Sequence, residues 1–343
     1  MTHPLSKANQ PSANQAVIDR LQGMLRSAIA TAVPERDDYI LLDFPNHPNI
    51  GDSAIYMGEA ILLREYFGHR PSLVTEAHEW EIEQVARTSR SCPILIHGGG
   101  NFGDIWPHHQ KFREAILTRF TDRKVVQLPQ SIHFSSDENL RRAAKVINAH
   151  PDFTLMVRDE ASAAIARSAF TCKIMMVPDM AFMIGAVLPP AAADQKVLCL
   201  IREDKETIFN DTNALVRLPS PHLIVDWPEE HGRASMFERL PARLRRLLPP
   251  PAQGYRPVTP AAYEWLARRR VETGLRLLSR GEVIMTDRLH AHILAVLLGK
   301  PHVTLDNSYG KIGNFMAAFT SDANGVRAET LEQAVDQASR LRS

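Results

Sequence analysis

A chain of 343 residues, 44% of them hydrophobic, is long enough for two domains with real cores and too apolar for disorder. Its formal net charge of +1, without a long basic run, argues against nucleic acid as the main partner. Small anionic ligands stay open, because a site for them needs only a few local cations. Three scattered cysteines, Cys92, Cys172 and Cys199, make neither a disulfide framework nor a zinc ribbon.

The N-terminal residues 1–15 are polar and lack the apolar core of a signal peptide. No apolar run approaches the ~20 residues that a bilayer span requires, so a cytoplasmic setting is expected. Residues 1–16 read as a loose leader, and 17–32 carry helical periodicity. Apolar strand patterns at 39–42, 93–96, 124–127, 153–157 and 173–177 then alternate with helical patterns at 52–66, 110–120, 137–148 and 160–169. Short apolar strands between such helices imply a doubly wound parallel sheet. This first Rossmann-like domain spans 17–188 and ends at a Pro/Ala-rich linker.

A second alternating set has strands at 196–201, 222–226, 283–285 and 302–305, with helical stretches at 234–248, 260–278 and 293–298. It defines a second Rossmann-like domain over 195–320. The remaining segment, 321–343, carries a terminal helix at 329–341 and is expected to pack back on the first domain. Fold class is therefore α/β, with two Rossmann-like domains facing a central cleft. Ligands are expected at the carboxyl ends of the strands.

The most informative stretch is Thr286-Asp287-Arg288-Leu289-His290-Ala291-His292, where an apolar strand meets an apolar helix. Free N–H groups and the helix dipole make such a junction an anion site, and an Arg and a His add charge and a proton donor. A satisfied core histidine is the bland alternative. A metal held by Asp287, His290 and His292 is disfavoured, because a His-x-His pair on a helix diverges.

Other strand ends carry similar signals. Asn49-Ile50-Gly51-Asp52 lies between the first strand and its helix; it reads either as a capped loop with a tight turn at Gly51 or as a ligand-facing helix start. His97-Gly98-Gly99-Gly100-Asn101-Phe102-Gly103-Asp104 follows the second strand, and its glycines would let backbone N–H groups approach an anion or a sugar. Its Gly-x-Gly-x-x-Gly spacing lacks the immediate helix and the distal acid of a dinucleotide site. Arg158 ends another strand, either facing an anion or paired internally with Asp159. Asp179 and Arg202 sit in equivalent places, and Lys311 follows the strand after His290. No nucleophile elbow and no P-loop occurs.

Together these motifs resemble the polysaccharide pyruvyltransferase family, in its bacterial exopolysaccharide branch. The resemblance rests on Asn49-Ile50-Gly51-Asp52, Gly98 to Asp104, Val157-Arg158-Asp159, Pro178-Asp179-Met180-Ala181-Phe182, Arg288-Leu289-His290 and Lys311, and it spans roughly residues 39–318. It implies a glycosyltransferase-B-like pair of Rossmann-type domains. It also implies transfer of pyruvate from phosphoenolpyruvate to two hydroxyls of a sugar as a ketal, with release of phosphate and without a cofactor or metal. Arg158 matches the family's Arg-Asp motif, and Arg288, Leu289 and His290 match its donor-site triplet.

Phosphoenolpyruvate carries a phosphate and a carboxylate, so Arg158, Arg202, Arg288 and Lys311 are the expected cations, with Leu289 beside them. His290 is the expected general acid at the enol carbon, and Asp52 or Asp104 the base toward the sugar. Asn49, Gly51, Gly98, Gly99, Gly100 and Asn101 are expected on the acceptor side. Residues 205–260 match nothing in the family pattern, so the acceptor stays open, whether lipid-linked or nucleotide-linked. A lipid-linked acceptor implies peripheral contact at the inner face of the cytoplasmic membrane, assisted by arginines at 239–246 and 268–270 unless these are a solvated helix face. The competing readings are a nucleotide-sugar glycosyltransferase of the same architecture and a non-catalytic carbohydrate- or anion-binding protein.

Overall fold

A computed structural model describes residues 14–34, 37–78, 81–202, 213–228, 258–306 and 310–341. Most of the leader and the helical stretch at 234–248, including the arginines at 239–246, lie outside the described residues.

The first half contains helices α1 (Gln15–Ala32), α2 (Ile50–Phe67), α3 (Ile82–Ala86), α4 (Pro107–Arg119), α5 (Asp137–Ala149) and α6 (Glu160–Ala169). Its strands are β1 (Ile40–Leu42), β2 (Leu73–Val74), β3 (Ile94–Ile96), β4 (Gly99–Gly103), β5 (Val125–His133), β6 (Phe153–Val157) and β7 (Lys173–Met176). They form one sheet in the order β2-β1-β3-β5-β6-β7, with β4 also paired to β5. All these pairings are parallel. Strands β1, β3 and β6 are buried throughout, as their unbroken Ile/Leu/Val-rich runs require when helices cover both faces.

The second half contains β8 (Gln195–Leu200), β9 (His222–Val225), β10 (Gly281–Thr286), β11 (His302–Leu305) and β12 (Gly325–Ala328), in the order β12-β11-β10-β8-β9. These pairings too are parallel. Its helices are α7 (Pro260–Ser279), α8 (Leu289–Leu297), α9 (Lys311–Phe315) and α10 (Leu331–Arg340). The chain is thus α/β with two Rossmann-like parallel sheets.

In each sheet the strand order reverses once. In the first sheet the reversal lies between β1 and β3, and in the second between β8 and β10. Loops leaving adjacent strands diverge at such a point and leave a crevice at their carboxyl ends. Asp43 and His97 flank the first crevice; Arg202 and Asp287 flank the second.

The halves share a core. Buried side chains of α1 (Leu21, Leu25), α2 (Ile50, Leu63), α7 (Val271, Leu275) and α8 (Leu294, Val296) belong to one apolar cluster. Two glycines allow close packing in this core. A Cβ on Gly58 would lie 1.8 Å from the Met180 carbonyl oxygen, and one on Gly274 would lie 2.5 Å from Ile50 Cγ2.

Three expectations are corrected. The segment 321–343 touches the first domain at its start, where Asp322 pairs with Arg20 of α1, but its helix does not pack there. Its residues 325–328 form β12, which extends the second sheet beside β11. Leu331, Ala334, Val335 and Ala338 of α10 then pack with Val197, Met285 and Val303 of that sheet. The helix's apolar stripe at i, i+3, i+4 and i+7 is evident, but such a stripe does not say which sheet it covers. The glycine stretch is not a loop: Gly99–Gly103 is β4, paired with the far end of β5. The arginines at 268–270 do not form a common solvated basic face. Arg270 is buried and donates to the Pro45 carbonyl, Arg268 lies 3.7 Å from Glu264, and Arg269 sits over the Trp265 ring.

Candidate active site

A cavity of about 530 Å³ is lined by residues that follow β1, β3, β6, β8, β9 and β10. It gathers Asn49, Asp52, Gly98, Gly100, Asn101 and Arg158 from the first half with Arg202, Arg288, Leu289 and His290 from the second.

Arg158 and His290 are 132 positions apart in the chain, yet Arg158 Nη1 lies 3.3 Å from His290 Nε2. Asp179 joins them. It pairs with Arg158 Nη1, and its Oδ2 lies 3.4 Å from His290 Nε2. Arg158 Nε also donates to Ser131 Oγ at 3.0 Å. Burial would raise the Asp179 carboxyl, but the Arg158 charge and His290 outweigh it and hold the group well below the usual carboxylate range. The internal Arg158–Asp159 pair does not form, because Asp159 caps α6 through Ser162 N–H and accepts from Ser131.

His290 occupies the first turn of α8, and its ring lies against α2. A Cβ on Gly51 would sit 2.3 Å from His290 Nδ1. Gly51 is not a turn residue but the second residue of α2, where its missing side chain admits the imidazole. Asn49 caps that helix by accepting from Gly51 N–H at 2.8 Å. Asp52, in the same first turn, has Oδ2 3.7 Å from His47 Nε2.

On the opposite wall, Arg288 stands at the N-cap position of α8 and its side chain pairs with Asp226. The Arg202 backbone N–H donates to Asp287 Oδ1 at 3.0 Å, across the β8/β10 crevice. Burial pushes the Asp287 carboxyl up to about 6. His292 turns into the core, bonded to His302 and Thr320, so it shares no ligand position with His290. Among the described residues, no group of three or more His, Cys, Asp or Glu side chains could hold a metal ion.

Some sequence candidates lie elsewhere. Asp104 is outside the cavity lining. It accepts from Ser135 N–H and Oγ at 2.8 and 2.7 Å and from Asn139 Nδ2 at 2.7 Å. Partial burial is outweighed by these bonds, which hold its carboxyl below its ordinary value. Its oxygens are thus engaged away from the cleft, where the sequence had offered it as a base toward the sugar. Gly99 also leaves the lining; its φ of 123° shows why glycine stands there. The Gly98 N–H is already taken by Glu59 Oε1 at 2.8 Å, so it is not an anion donor. Lys311 opens α9, but its side chain lies outside the described residues; the next residue, Ile312, lines the cavity.

Other lining residues had not been assigned a role from the sequence: Asp43, His97, Trp106, His109 and Trp227. Asp43 has φ of 69°, unusual for a residue with a side chain. Its Oδ1 lies 2.8 Å from His109 Nδ1, and its Oδ2 accepts from Asn101 Nδ2 at 3.1 Å. Burial opposes its charge, yet His109 holds the carboxyl below its usual value. Asp43 and His97 both stand just past apolar strands, the same signal that singled out Arg158.

The family model described as Polysaccharide pyruvyl transferase matches residues 49–309. The chain belongs to that family. It is 32% identical over 307 residues to EpsO of Bacillus subtilis (strain 168), which carries a pyruvyl transferase name; the match covers 88% of this chain and 91% of EpsO. It is 29% identical over 320 residues to Pyruvyl transferase 1 of Schizosaccharomyces pombe, covering 86% of this chain and 74% of the relative. Among solved structures, a functionally uncharacterised protein of Klebsiella pneumoniae shares the fold, with a TM-score of 0.60 at 19% identity over 90% of this chain and 99% of that one.

The matched span holds nearly the whole site of this pyruvyl transferase family member; Asp43, Pro45 and His47 precede it, and Ile312 follows it. Membership supports pyruvyl transfer to a polysaccharide as the coarse activity. Among the described residues, no helix is long and apolar enough to cross a membrane.

Proposed function

We propose that the protein transfers pyruvate from phosphoenolpyruvate to two hydroxyls of an exopolysaccharide sugar or its precursor, closing a ketal and releasing phosphate. The observation that carries this reading is the meeting of Arg158 and His290 at 3.3 Å across the two halves of the chain. The donor has two anionic groups and one carbon to be protonated. Guanidinium groups of Arg158, Arg202 and Arg288 line one cavity and suit the phosphate and carboxylate. The N-terminus of α8 adds backbone donors and a partial positive charge.

His290 then delivers a proton to C3 of the donor, which turns C2 into an electrophile. Asp179 and Arg158 bracket its Nε2, at 3.4 and 3.3 Å. On the first-half wall, Asp52, Asn49 and Asn101 offer hydrogen-bonding groups to a sugar, and Trp106, 54% exposed, offers a flat apolar face for stacking. Phosphoenolpyruvate is a soluble intracellular metabolite, so the reaction belongs on the cytoplasmic side. A lipid-linked acceptor would bring the protein to the inner face of the membrane.

The test is ligand-specific stabilisation followed by turnover. Phosphoenolpyruvate is expected to raise Tm, and UDP-sugars are not. Phosphate release from phosphoenolpyruvate should require a pool of lipid-linked or nucleotide-linked sugars. His290→Ala should lower that release by about 10²-fold or more while the circular dichroism spectrum stays native. Undiminished turnover by this variant removes His290 from the mechanism, and stabilisation by UDP-sugars alone points to the glycosyltransferase instead.

A further inference from the structure

His97 leaves β3 at the β1/β3 crevice, lines the cavity and is 2% exposed. Its Nδ1 lies 2.7 Å from Glu59 Oε2. Glu59 is itself fully buried inside the apolar helix α2, and its other oxygen accepts the Gly98 N–H. A carboxylate that accepts twice leaves the His97 ring one arrangement: Nδ1 carries a proton and donates it to Glu59. The opposite nitrogen, Nε2, is buried and has no hydrogen-bond partner among the described residues.

A buried polar atom without a partner is costly, and so is a carboxylate buried in an apolar helix. The two features together describe a proton acceptor positioned by a second group, the arrangement that activates hydroxyl nucleophiles elsewhere. We propose that His97, oriented by Glu59, takes the proton from the attacking hydroxyl of the acceptor sugar. This rests on the pyruvyl-transfer reading above and supplies a base that lines the cleft, as Asp104 does not.

The electrostatics favour the acceptor over the donor at this wall. The charges that act most on the ring are those of Glu59, Asp43 and Asp52, all carboxylates. They repel an anionic donor, whereas the arginines gather at Arg158 and across the cavity. Burial alone would lower the His97 pKa, but Glu59 reverses the direction and raises it, which strengthens the base. His109 makes a similar contact with Asp43 but is more exposed, and its Nε2 is not left buried and unpartnered.

The step balances. C3 of the donor gains a proton from His290. The first sugar oxygen bonds to C2 as its proton moves to His97 Nε2. The bond from C2 to the phosphate oxygen breaks, and its electron pair leaves with phosphate. The second hydroxyl then bonds to C2 and gives up its proton. Of the two hydroxyl protons, one replaces that given to C3 and the other leaves on phosphate.

Two measurements test the assignment. Nitrogen NMR of selectively labelled histidines, with His97 identified by its loss in His97→Asn, reads the ring directly. Nε2 should carry a free lone pair in the unliganded protein and shift when methyl hexosides are added, with or without phosphoenolpyruvate. In turnover with the sugar pool, His97→Asn should lose about 10²-fold or more in kcat yet keep its stabilisation by phosphoenolpyruvate. Glu59→Gln should keep the ring in place, lose activity, and move the acidic limb of the rate–pH profile to lower pH, a shift that a merely structural role would not produce. Full turnover by His97→Asn, an unmoved limb in Glu59→Gln, or an Nε2 signal indifferent to every hexoside overturns the assignment. A wild type that phosphoenolpyruvate fails to stabilise overturns the donor reading instead, and the response of Nε2 to hexosides still decides the fate of His97.

Discussion

At the scale of single residues, the contact between Gly51 and His290 has the clearest consequence. The imidazole rests where a side chain on Gly51 would stand, 2.3 Å from Nδ1 for a Cβ. Gly51→Ala must therefore displace the ring or separate α2 from α8. Helix propensity favours alanine there, so the loss of function should exceed the loss of stability. We expect kcat/KM for phosphoenolpyruvate to fall about 10²-fold, as misplacement by ~1 Å typically costs. The melting temperature should fall modestly, since overpacking costs roughly 1–3 kcal/mol. Steady-state kinetics beside thermal melts check this, and unchanged kcat/KM would show that the ring has room to move. Charged residues such as Arg158 and His290 were legible because each stands at an apolar strand end or helix start. Glu59 was not, because a lone carboxylate in the run Ile55-Tyr56-Met57-Gly58-Glu59-Ala60 finds its partner 38 positions away.

Among the elements, α8 carries both Arg288 at its N-cap position and His290, and a chain of neutral side chains holds it down. His302 Nδ1 donates to the Lys300 carbonyl at 2.9 Å, which leaves its Nε2 to accept from His292 Nδ1 at 2.8 Å. His292 Nε2 then accepts from Thr320 Oγ1 at 2.9 Å. Every link requires both rings to be neutral. Burial lowers the His302 pKa to about 4 and pushes His292 well below its ordinary value. Between about pH 6.5 and 4 the unfolded chain binds protons that the folded chain refuses, so this contribution is complete above pH 6.5 and is lost on acidification. The fall over that window should be about 3 kcal/mol for His302, taking about 1.4 kcal/mol per unit. Urea unfolding at pH 7 and pH 4.5 checks it, and His302→Gln should show a shallower fall. The helix itself was evident from its apolar run, but the β12 strand was not. Residues 325–328 are short and mixed in polarity, and β11 supplies the hydrogen bonds that make them a strand.

For the molecule as a whole, the shared core makes the two sheets one folding unit. Helices α2 and α7 meet through Gly274, where a Cβ would lie 2.5 Å from Ile50 Cγ2. Calorimetry should therefore show one unfolding transition, not two. Gly274→Ala should lower its midpoint and weaken stabilisation by phosphoenolpyruvate, because the cavity is built from both halves. Two resolved transitions in the wild type would show that the halves fold independently. The cavity's position follows from topology: each sheet reverses its strand order once, and both crevices contribute lining residues.

By itself the sequence determined the alternation of strands and helices, the two-sheet α/β class and most charged positions of the cleft. Those are local properties: a buried strand needs a continuous apolar run, and a residue just beyond it emerges at the carboxyl edge wherever the strand is placed. Only the tertiary structure decided which of these residues meet. It joined Arg158 to Asp179 and His290, gave Glu59 to His97, removed Asp104 from the cleft, and placed the last strand and helix on the second sheet. Those outcomes depend on strand order and on how closely glycine lets two helices approach, and neither is encoded in any short stretch of chain.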